Sequence, residues 1–289
     1  VEIEGAALRK AEKADVDIDR ILETLPEPDL AGLERTVNLL VAGIGGMGGT
    51  TVSAILAMAA HLDGKHASTL DMTGLAQKGG PVTSHVRFAA GNKTIEGPRV
   101  PTASLDVLLA SDMVVATNAE QLGMANREAT RAFANTRVAP TAEFVMRQTL
   151  SFDEIRMDKA LKEASKAYLG MDAAGIAEKL LGDAIFANMI LVGMAYQSGA
   201  LPISAKAIEG ALRLNKAAVD SNIQAFRAGR ILAASPDLIL DHLPKDVEAP
   251  KLSLEDQIEA YARELTAYQD AGYAQRFKTA ISKVRDADE

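Results

Sequence analysis

The chain of 289 residues contains no cysteine. It therefore holds no thiolate nucleophile, no disulfide and no Cys-ligated iron–sulfur cluster. Positive charge is in deficit: 31 Lys and Arg stand against 39 Asp and Glu, a net charge of −8. A general nucleic-acid binder would present a basic face, so that class is set aside, although a local basic pocket is compatible with this balance. Long apolar runs are also missing. The best stretch, residues 184–196, is interrupted by Asn188 and opens at Asp183, short of a bilayer span. The first residues, Val1-Glu2-Ile3-Glu4, are acidic where a secretory leader would be basic, so the expected compartment is the cytoplasm, with no membrane partner. A start at Val1 rather than Met suggests a processed chain or a piece of a longer polypeptide.

Recognisable catalytic constellations are sparse as well. His61 and His66 flank a turn, His85 lies in a predicted strand and His242 in a polar loop; their spacing does not suit zinc. No serine occupies a Gly-x-Ser-x-Gly elbow, and Glu143 and Asp183 are not paired as acid and base. Met189 and Met194 read as core filling. No catalytic residue and no metal ligand is assigned.

What is present is an alternation of strand and helix signals. Residues 1–36 are polar, with helical segments at 6–13 and 17–24 before Leu25-Pro26-Glu27-Pro28 breaks the pattern; they read as a linker or N-terminal arm. The apolar run 37–43 predicts a buried strand, 50–61 a helix and 67–71 a second strand, together a βαβ unit. Residues 82–89 alternate as a third strand, with Val82, Ser84, Val86 and Phe88 on one side. Next come a helix at 105–109, a strand at 113–116, a turn at 118–122, a helix from Ala125 and a strand at 136–140. Helices are predicted at 173–180, 184–197, 204–212 (with Ser204 as N-cap) and 216–228, and a charged amphipathic helix at 254–285. This pattern predicts a Rossmann-like, doubly wound α/β sheet with a helical C-terminal extension. The expected divisions are an arm at 1–36, a main domain at 37–232 and a helical extension at 233–289.

The most informative stretch is Gly43-Ile44-Gly45-Gly46-Met47-Gly48-Gly49-Thr50, between a predicted strand and a predicted helix. Glycines allow a tight turn there, and a helix N-terminus offers free N–H groups to a phosphate. Gly43, Gly45 and Gly48 match the dinucleotide fingerprint, with Asp71 near the place of a ribose-binding acid. An NAD-type site, another phosphate or acyl-carrier site, and purely structural close packing all remain open on this motif. The following Gln77-Lys78-Gly79-Gly80-Pro81 is foreign to the nicotinamide pattern. Lys78 suits a phosphate or carboxylate and Gln77 a hydrogen bond, while Gly79 and Gly80 allow close passage of another chain or cofactor. A solvated turn with a surface lysine is the alternative reading.

Taken together, the loop at 43–50, the block from Asp71-Met72-Thr73-Gly74 through Gln77-Lys78-Gly79-Gly80, and Ser84-His85-Val86-Arg87 resemble the gamma (pyruvate/ketoisovalerate oxidoreductase catalytic) domain of 2-oxoacid:ferredoxin oxidoreductases. The resemblance is greatest to the fused bacterial indolepyruvate ferredoxin oxidoreductases. It continues through Thr141-Ala142-Glu143-Phe144, residues 182–189 and residues 225–230, and into the helical region near Leu265. Because the fused enzymes are far longer, the resemblance implies that this chain is a fragment continuing into a missing domain.

The resemblance implies an oxidoreductase that decarboxylates a 2-oxoacid, indolepyruvate or another arylpyruvate, on thiamine diphosphate. Electrons then pass through iron–sulfur clusters to ferredoxin, and the acyl group passes to coenzyme A. None of those cofactors is expected within this chain: thiamine diphosphate, magnesium and the clusters would sit on other domains, with coenzyme A as co-substrate. Gly182-Asp183-Ala184 only approaches a thiamine Gly-Asp-Gly motif, and Asp183 reads as a cap or helix contact. Gly43, Gly45, Gly46, Gly48, Gly49, Thr50, Gln77, Lys78, Gly79 and Gly80 would form one wall of a coenzyme A or substrate cleft. Partners would be the thiamine and iron–sulfur domains, ferredoxin through the whole enzyme, and a second copy of the chain. A stand-alone NAD(P)-dependent oxidoreductase and a pure interaction module are the competing readings.

Overall fold

The computed structural model describes residues 14, 16–74, 80–138, 154–244 and 253–288. The chain divides into two units, 1–244 and 245–289. In the first, a short helix α1 (Ile18–Leu22) precedes β1 (Val37–Ile44), α2 (Gly49–Leu62), β2 (His66–Thr73) and β3 (Pro81–Ala89). Then follow β4 (Val107–Ala110), α3 (Met113–Ala116), α4 (Ala119–Met124), β5 (Arg131–Asn135), α5 (Glu154–Ala164) and β6 (Ala167–Met171). The unit closes with α6 (Ala173–Leu181), a 3-10 turn at Ala184–Phe186, α7 (Ala187–Gln197), α8 (Ala205–Asn215), α9 (Val219–Ala234) and α10 (Asp237–Leu240).

Among the described residues the sheet has six strands in the order β2-β3-β1-β4-β5-β6. β1, β4, β5 and β6 run parallel, whereas β3 is antiparallel to both β1 and β2. β1 and β2 therefore share a direction, and the βαβ unit is split by β3, whose His85 stands opposite Leu40 on one side and Leu70 on the other. Every residue of β1 is buried, because it is central and covered on both faces. Leu39, Val41, Val86, Phe88, Leu109 and Phe133 join α2, α7 and α9 in one core. Leu40, Ala42, Leu108, Ala110, Ala132 and Ala134 pack with Met113, Val115 and Leu161 in the other. Val86 and Phe88 share a face, as their alternation implies.

Helix α7 is buried from Ala187 to Tyr196, so it has no polar stripe. It packs on α9 through glycine. A Cβ on Gly193 would overlap the Phe226 carbonyl and stand 2.9 Å from Arg230 N, and one on Gly229 would overlap the Ile190 carbonyl. Only glycine lets two helix backbones meet this closely. The segment before β1 lies against this pair. Asp19 accepts from Arg227 at 2.8 Å, and Glu27 accepts from the Tyr196 hydroxyl and from Arg230, each at 2.8 Å. Arg230 is only 3% exposed and stacks over the Tyr196 ring, 4.9 Å from its centroid. Partial burial pulls the Glu27 carboxyl upward, but Arg230 and the Tyr196 hydroxyl outweigh it and hold Glu27 below its usual range.

Several local expectations are corrected. Residues 105–109, read as a helix, contribute strand β4. A short apolar run buried on both faces looks the same in either state. Residues 113–116, read as a strand from their paired valines, form α3, because Asp112 caps them by accepting from Val115 N at 2.9 Å. The turn at 118–122 falls in α4, and the helix expected from Ala125 is a loop leading into β5. Residues 136–138 form no strand, and 139–140 lie outside the described residues, as do the 6–13 helix and Thr141–Phe144. β6 and α5 were not anticipated.

In the second unit, the single helix expected at 254–285 is two, α11 (Leu254–Tyr268) and α12 (Ala271–Asp288), broken at Gln269. They fold back on one another, with Lys278 donating to Glu259 at 2.7 Å and Arg285 pairing with Glu255 at 2.6 Å. Tyr261 and Phe277 meet edge-on, 6.4 Å between centroids. Among the described residues, no helix is long and apolar enough to cross a membrane.

Candidate functional site

The glycine loop leaves the carboxyl end of β1 and opens directly into α2. Gly45 N donates to Gly80 O at 2.8 Å, which brings Gly80 to the loop. Gly46 and Gly48 take φ values of +91° and +82°, a conformation costly for any other residue. The buried Asn188 amide, from the first turn of α7, donates to Met47 O at 2.5 Å and fixes the loop from behind. Thr51 and Val52 N–H groups donate to Gly48 O. By contrast, the N–H groups of Gly46, Gly48, Gly49 and Thr50 have no partner among the described residues, and α2 has no side-chain cap. Two of these donors lie in the loop and two in the first turn of α2, a setting whose chemistry suits an anion. Beside them, Asp71 accepts from Ser53 Oγ at 3.0 Å. Gln77, Lys78 and Gly79 lie outside the described residues.

A cleft of about 240 Å³ opens beside this loop. Ile44 and Met47 line it from the loop, Ser111 and Asp112 from the end of β4, and Asn135, Arg137 and Val138 from the end of β5. Helices α6 and α7 close it with Ala174, Glu178, Ala187 and Asn188. The chain leaves β1 toward β2 on one side while β4 lies on the other, so the cleft sits at the topological switch point, where open α/β sheets bind ligands. Its wall is mainly apolar with a few fixed polar groups. Asn135 donates to Ser111 O at 3.3 Å and to Arg137 O at 3.2 Å and accepts from Ala174 N at 3.1 Å, tying two strand ends to α6. Arg137 is held by Glu178 at 2.5 Å and Asp172 at 3.0 Å, and these carboxylates raise its pKa. Burial pushes the Asp112 carboxyl up, against the opposing pull of the Val115 and Val114 N–H groups. Ser111 Oγ is buried without a partner.

The pyruvate ferredoxin/flavodoxin oxidoreductase family model matches residues 38–232, from β1 to α9. The chain belongs to this family. Among curated relatives, an "Indolepyruvate oxidoreductase subunit IorB" of Archaeoglobus fulgidus is 29% identical over 197 residues, covering 67% of this chain and 93% of the relative. A protein of the same name from Pyrococcus horikoshii is 29% identical over 201 residues, covering 68% and 95%. Two solved structures are similar to part of this chain, the second of them in fold. One is the gamma subunit of a keto/oxoacid ferredoxin oxidoreductase from Geobacter sulfurreducens, 20% identical, with a TM-score of 0.48, covering 68% of this chain and 98% of that one. The other is a 2-oxoglutarate:ferredoxin oxidoreductase from Magnetococcus marinus, 17% identical, with a TM-score of 0.52, covering 70% of this chain and 31% of that one.

Within this family member, the described residues do not fit a thiamine–magnesium centre. Asp183, the nearest match to such a motif, spends its Oδ1 on the Ile185 N–H at 2.9 Å and starts the 3-10 turn. Among the described residues, no group of three or more His, Asp or Glu side chains could hold a metal ion. Ser84 and His85 do not form a dyad either, since adjacent strand residues face opposite sides. His85 is fully buried and accepts from Val100 N at 3.2 Å through Nδ1. Burial lowers its pKa, helped by Arg99. Ser111, Asp112, Asn135 and Arg137 were not anticipated from sequence. Their signal is position at the carboxyl ends of parallel strands, which a helix at 105–109 and a strand at 113–116 conceal.

Proposed function

We propose that this chain serves as the gamma domain or subunit of a 2-oxoacid:ferredoxin oxidoreductase acting on an arylpyruvate such as indolepyruvate. In this reading the glycine loop and the adjoining cleft form the coenzyme A side of a shared site. The diphosphate of coenzyme A is received by the free N–H groups of Gly46, Gly48, Gly49 and Thr50, and an apolar portion of the molecule lies in the cleft. Gln77, Lys78, Gly79 and Gly80 add the facing rim. Gly43 serves the same wall indirectly, because a Cβ there would press within 3.2 Å of Ser111 Cβ. The observation that carries the reading is the set of four unpartnered donors at the mouth of a cleft at the switch point. The family membership and the relatives' names support the reaction class.

Thiamine diphosphate, magnesium and iron–sulfur clusters are then borne by partner domains, which also pass electrons to ferredoxin. The isolated chain has no turnover of its own, and the assembled enzyme contains more than one copy. The main domain spans 37–232, flanked by the arm at 1–36 and the helical extension at 233–289.

The test is kinetic and uses the assembled enzyme. Lys78→Ala should raise the KM for coenzyme A by about tenfold, the scale of a charge-assisted hydrogen bond, and Gly48→Ala should raise it similarly by straining the +82° φ that aims the loop N–H groups. Unchanged kinetics for coenzyme A and the oxoacid in both variants would remove the cleft assignment. Saturable micromolar binding of NADH to the chain would instead favour the dehydrogenase reading that the loop and Asp71 also suggest.

A further inference from the structure

A second cavity, about 290 Å³, lies at the opposite edge of the sheet, where β1, β4 and β5 begin at Val37, Val107 and Arg131. Its wall carries four charged side chains: Glu34, Arg35, Asp106 and Arg131. Two of them neutralise each other. Arg35 grips Asp106 with both terminal nitrogens, at 2.5 and 2.9 Å, and the Asn38 N–H occupies Asp106 Oδ2 at 2.8 Å. Arg131 has no such partner. One of its N–H groups donates to Ser198 O at the C-terminal end of α7, and no carboxylate among the described residues pairs with it. Glu34 shares the cavity but makes no ion pair with Arg131.

A guanidinium has five donors in a planar fork. The other four on Arg131 have no protein partner among the described residues, on a half-buried side chain whose charge is opposed by burial. The carbonyl end of α7 offsets part of its charge, and the natural complement of the remaining donors is a two-oxygen anion. We propose that this cavity binds a small oxyanion, a carboxylate or a phosphate, with Arg131 as its principal ligand. The site is separate from the glycine-loop cleft, because it lies at the other ends of the same parallel strands. It does not depend on the coenzyme A reading.

Inorganic phosphate and acetate, titrated separately into the full chain at constant ionic strength with chloride as control, test the proposal. Calorimetric binding and thermal stabilisation are the readouts. Saturable binding of either anion beyond chloride is expected, and the preferred arm identifies the source chemistry. Arg131→Gln should weaken that binding by at least about tenfold. Glu34→Gln, which removes a repelling carboxylate and leaves the Ser198 contact intact, should tighten it. Absence of binding beyond the chloride control would overturn the site. So would equal affinity in folded Arg131→Gln protein. If Arg131→Gln does not fold, Glu34→Gln decides: an affinity no tighter than that of the unsubstituted chain overturns the proposal.

Discussion

The contact between α7 and α9 sets a sharp test of how this domain holds together. In Gly193→Ala the new methyl carbon would stand 2.9 Å from both Arg230 N and Gly229 Cα and would overlap the Phe226 carbonyl. All three neighbours are backbone atoms of one helix, so no side chain can swing aside. Carbon atoms pack at about 3.5–4.0 Å, so the helices must separate by on the order of 1 Å. Overpacking of this kind costs roughly 1–3 kcal/mol, occasionally more, while the alanine returns only about 1 kcal/mol of helix propensity. The upper part of that range applies because α7 is buried on every side and a shift of it is felt by the sheet as well. A net loss of about 2 kcal/mol follows, or about 4–8 °C in Tm for a domain of this size. Urea and thermal unfolding of the chain, followed by circular dichroism, would measure it. Gly123→Ala in α4 is the matched control, since nothing lies within 4 Å of the added methyl, and it should be neutral or mildly stabilising. If Gly193→Ala unfolds at the same denaturant concentration as Gly123→Ala, the close-contact account of this helix pair is wrong.

Two further outcomes follow from single contacts. Asn188→Ala should cost about 1–2 kcal/mol by leaving the Met47 carbonyl unpaired, and should speed exchange of the hydrogen-bonded loop amides of Gly45, Met47, Thr51 and Val52; unchanged exchange there would mean that the loop holds itself. Asp63 accepts from Ser204 N at 2.7 Å, from its hydroxyl at 2.8 Å and from Lys65 at 3.3 Å; burial raises its carboxyl pKa, but these donors outweigh it and hold it below its usual range. A depressed native pKa stabilises the fold above the unfolded value near 4, and this is lost as pH falls through the lower native value. Asp63→Asn should therefore reduce stability at neutral pH and shrink the loss between about pH 5 and 2, as read from urea midpoints across that range.

Much of the sheet's first half was legible because its signals are local. The all-apolar run into Gly43, the glycine turn and the small-residue helix after it each fix one element, and β1, α2, β2 and β3 form where expected. The second half failed where length and composition conflict. Val107–Ala110 is too short for its period to be read, and Val114-Val115 favours a strand until the Asp112 cap is taken into account. The site split along the same line. Gly43 through Thr50 announce a loop that needs glycine, and the structure joins Gly80 to it. Ser111, Asn135 and Asn188 are ordinary polar residues, and only the sheet order turns them toward one cleft. Asn188 looked like a flaw in an apolar helix, yet it is the residue that pins the glycine loop.

The reversed strand β3 has a consequence for how such a domain can diverge. Because β3 starts where β1 ends, with Pro81 opposite Ile44, the link from Gly74 to Gly80 begins and ends on the rim that carries the glycine loop. Two continuous ladders, β2 to β3 and β3 to β1, hold the strand ends on either side of it, and the β3–β1 register is fixed by buried residues on both strands. In an all-parallel arrangement, the strand beside β1 would present only its outgoing end at this rim. Here the outgoing end of β2 and the incoming end of β3 both reach this rim, so sequence change between two anchored strand ends alters the surface beside the glycine loop while the sheet stays constant.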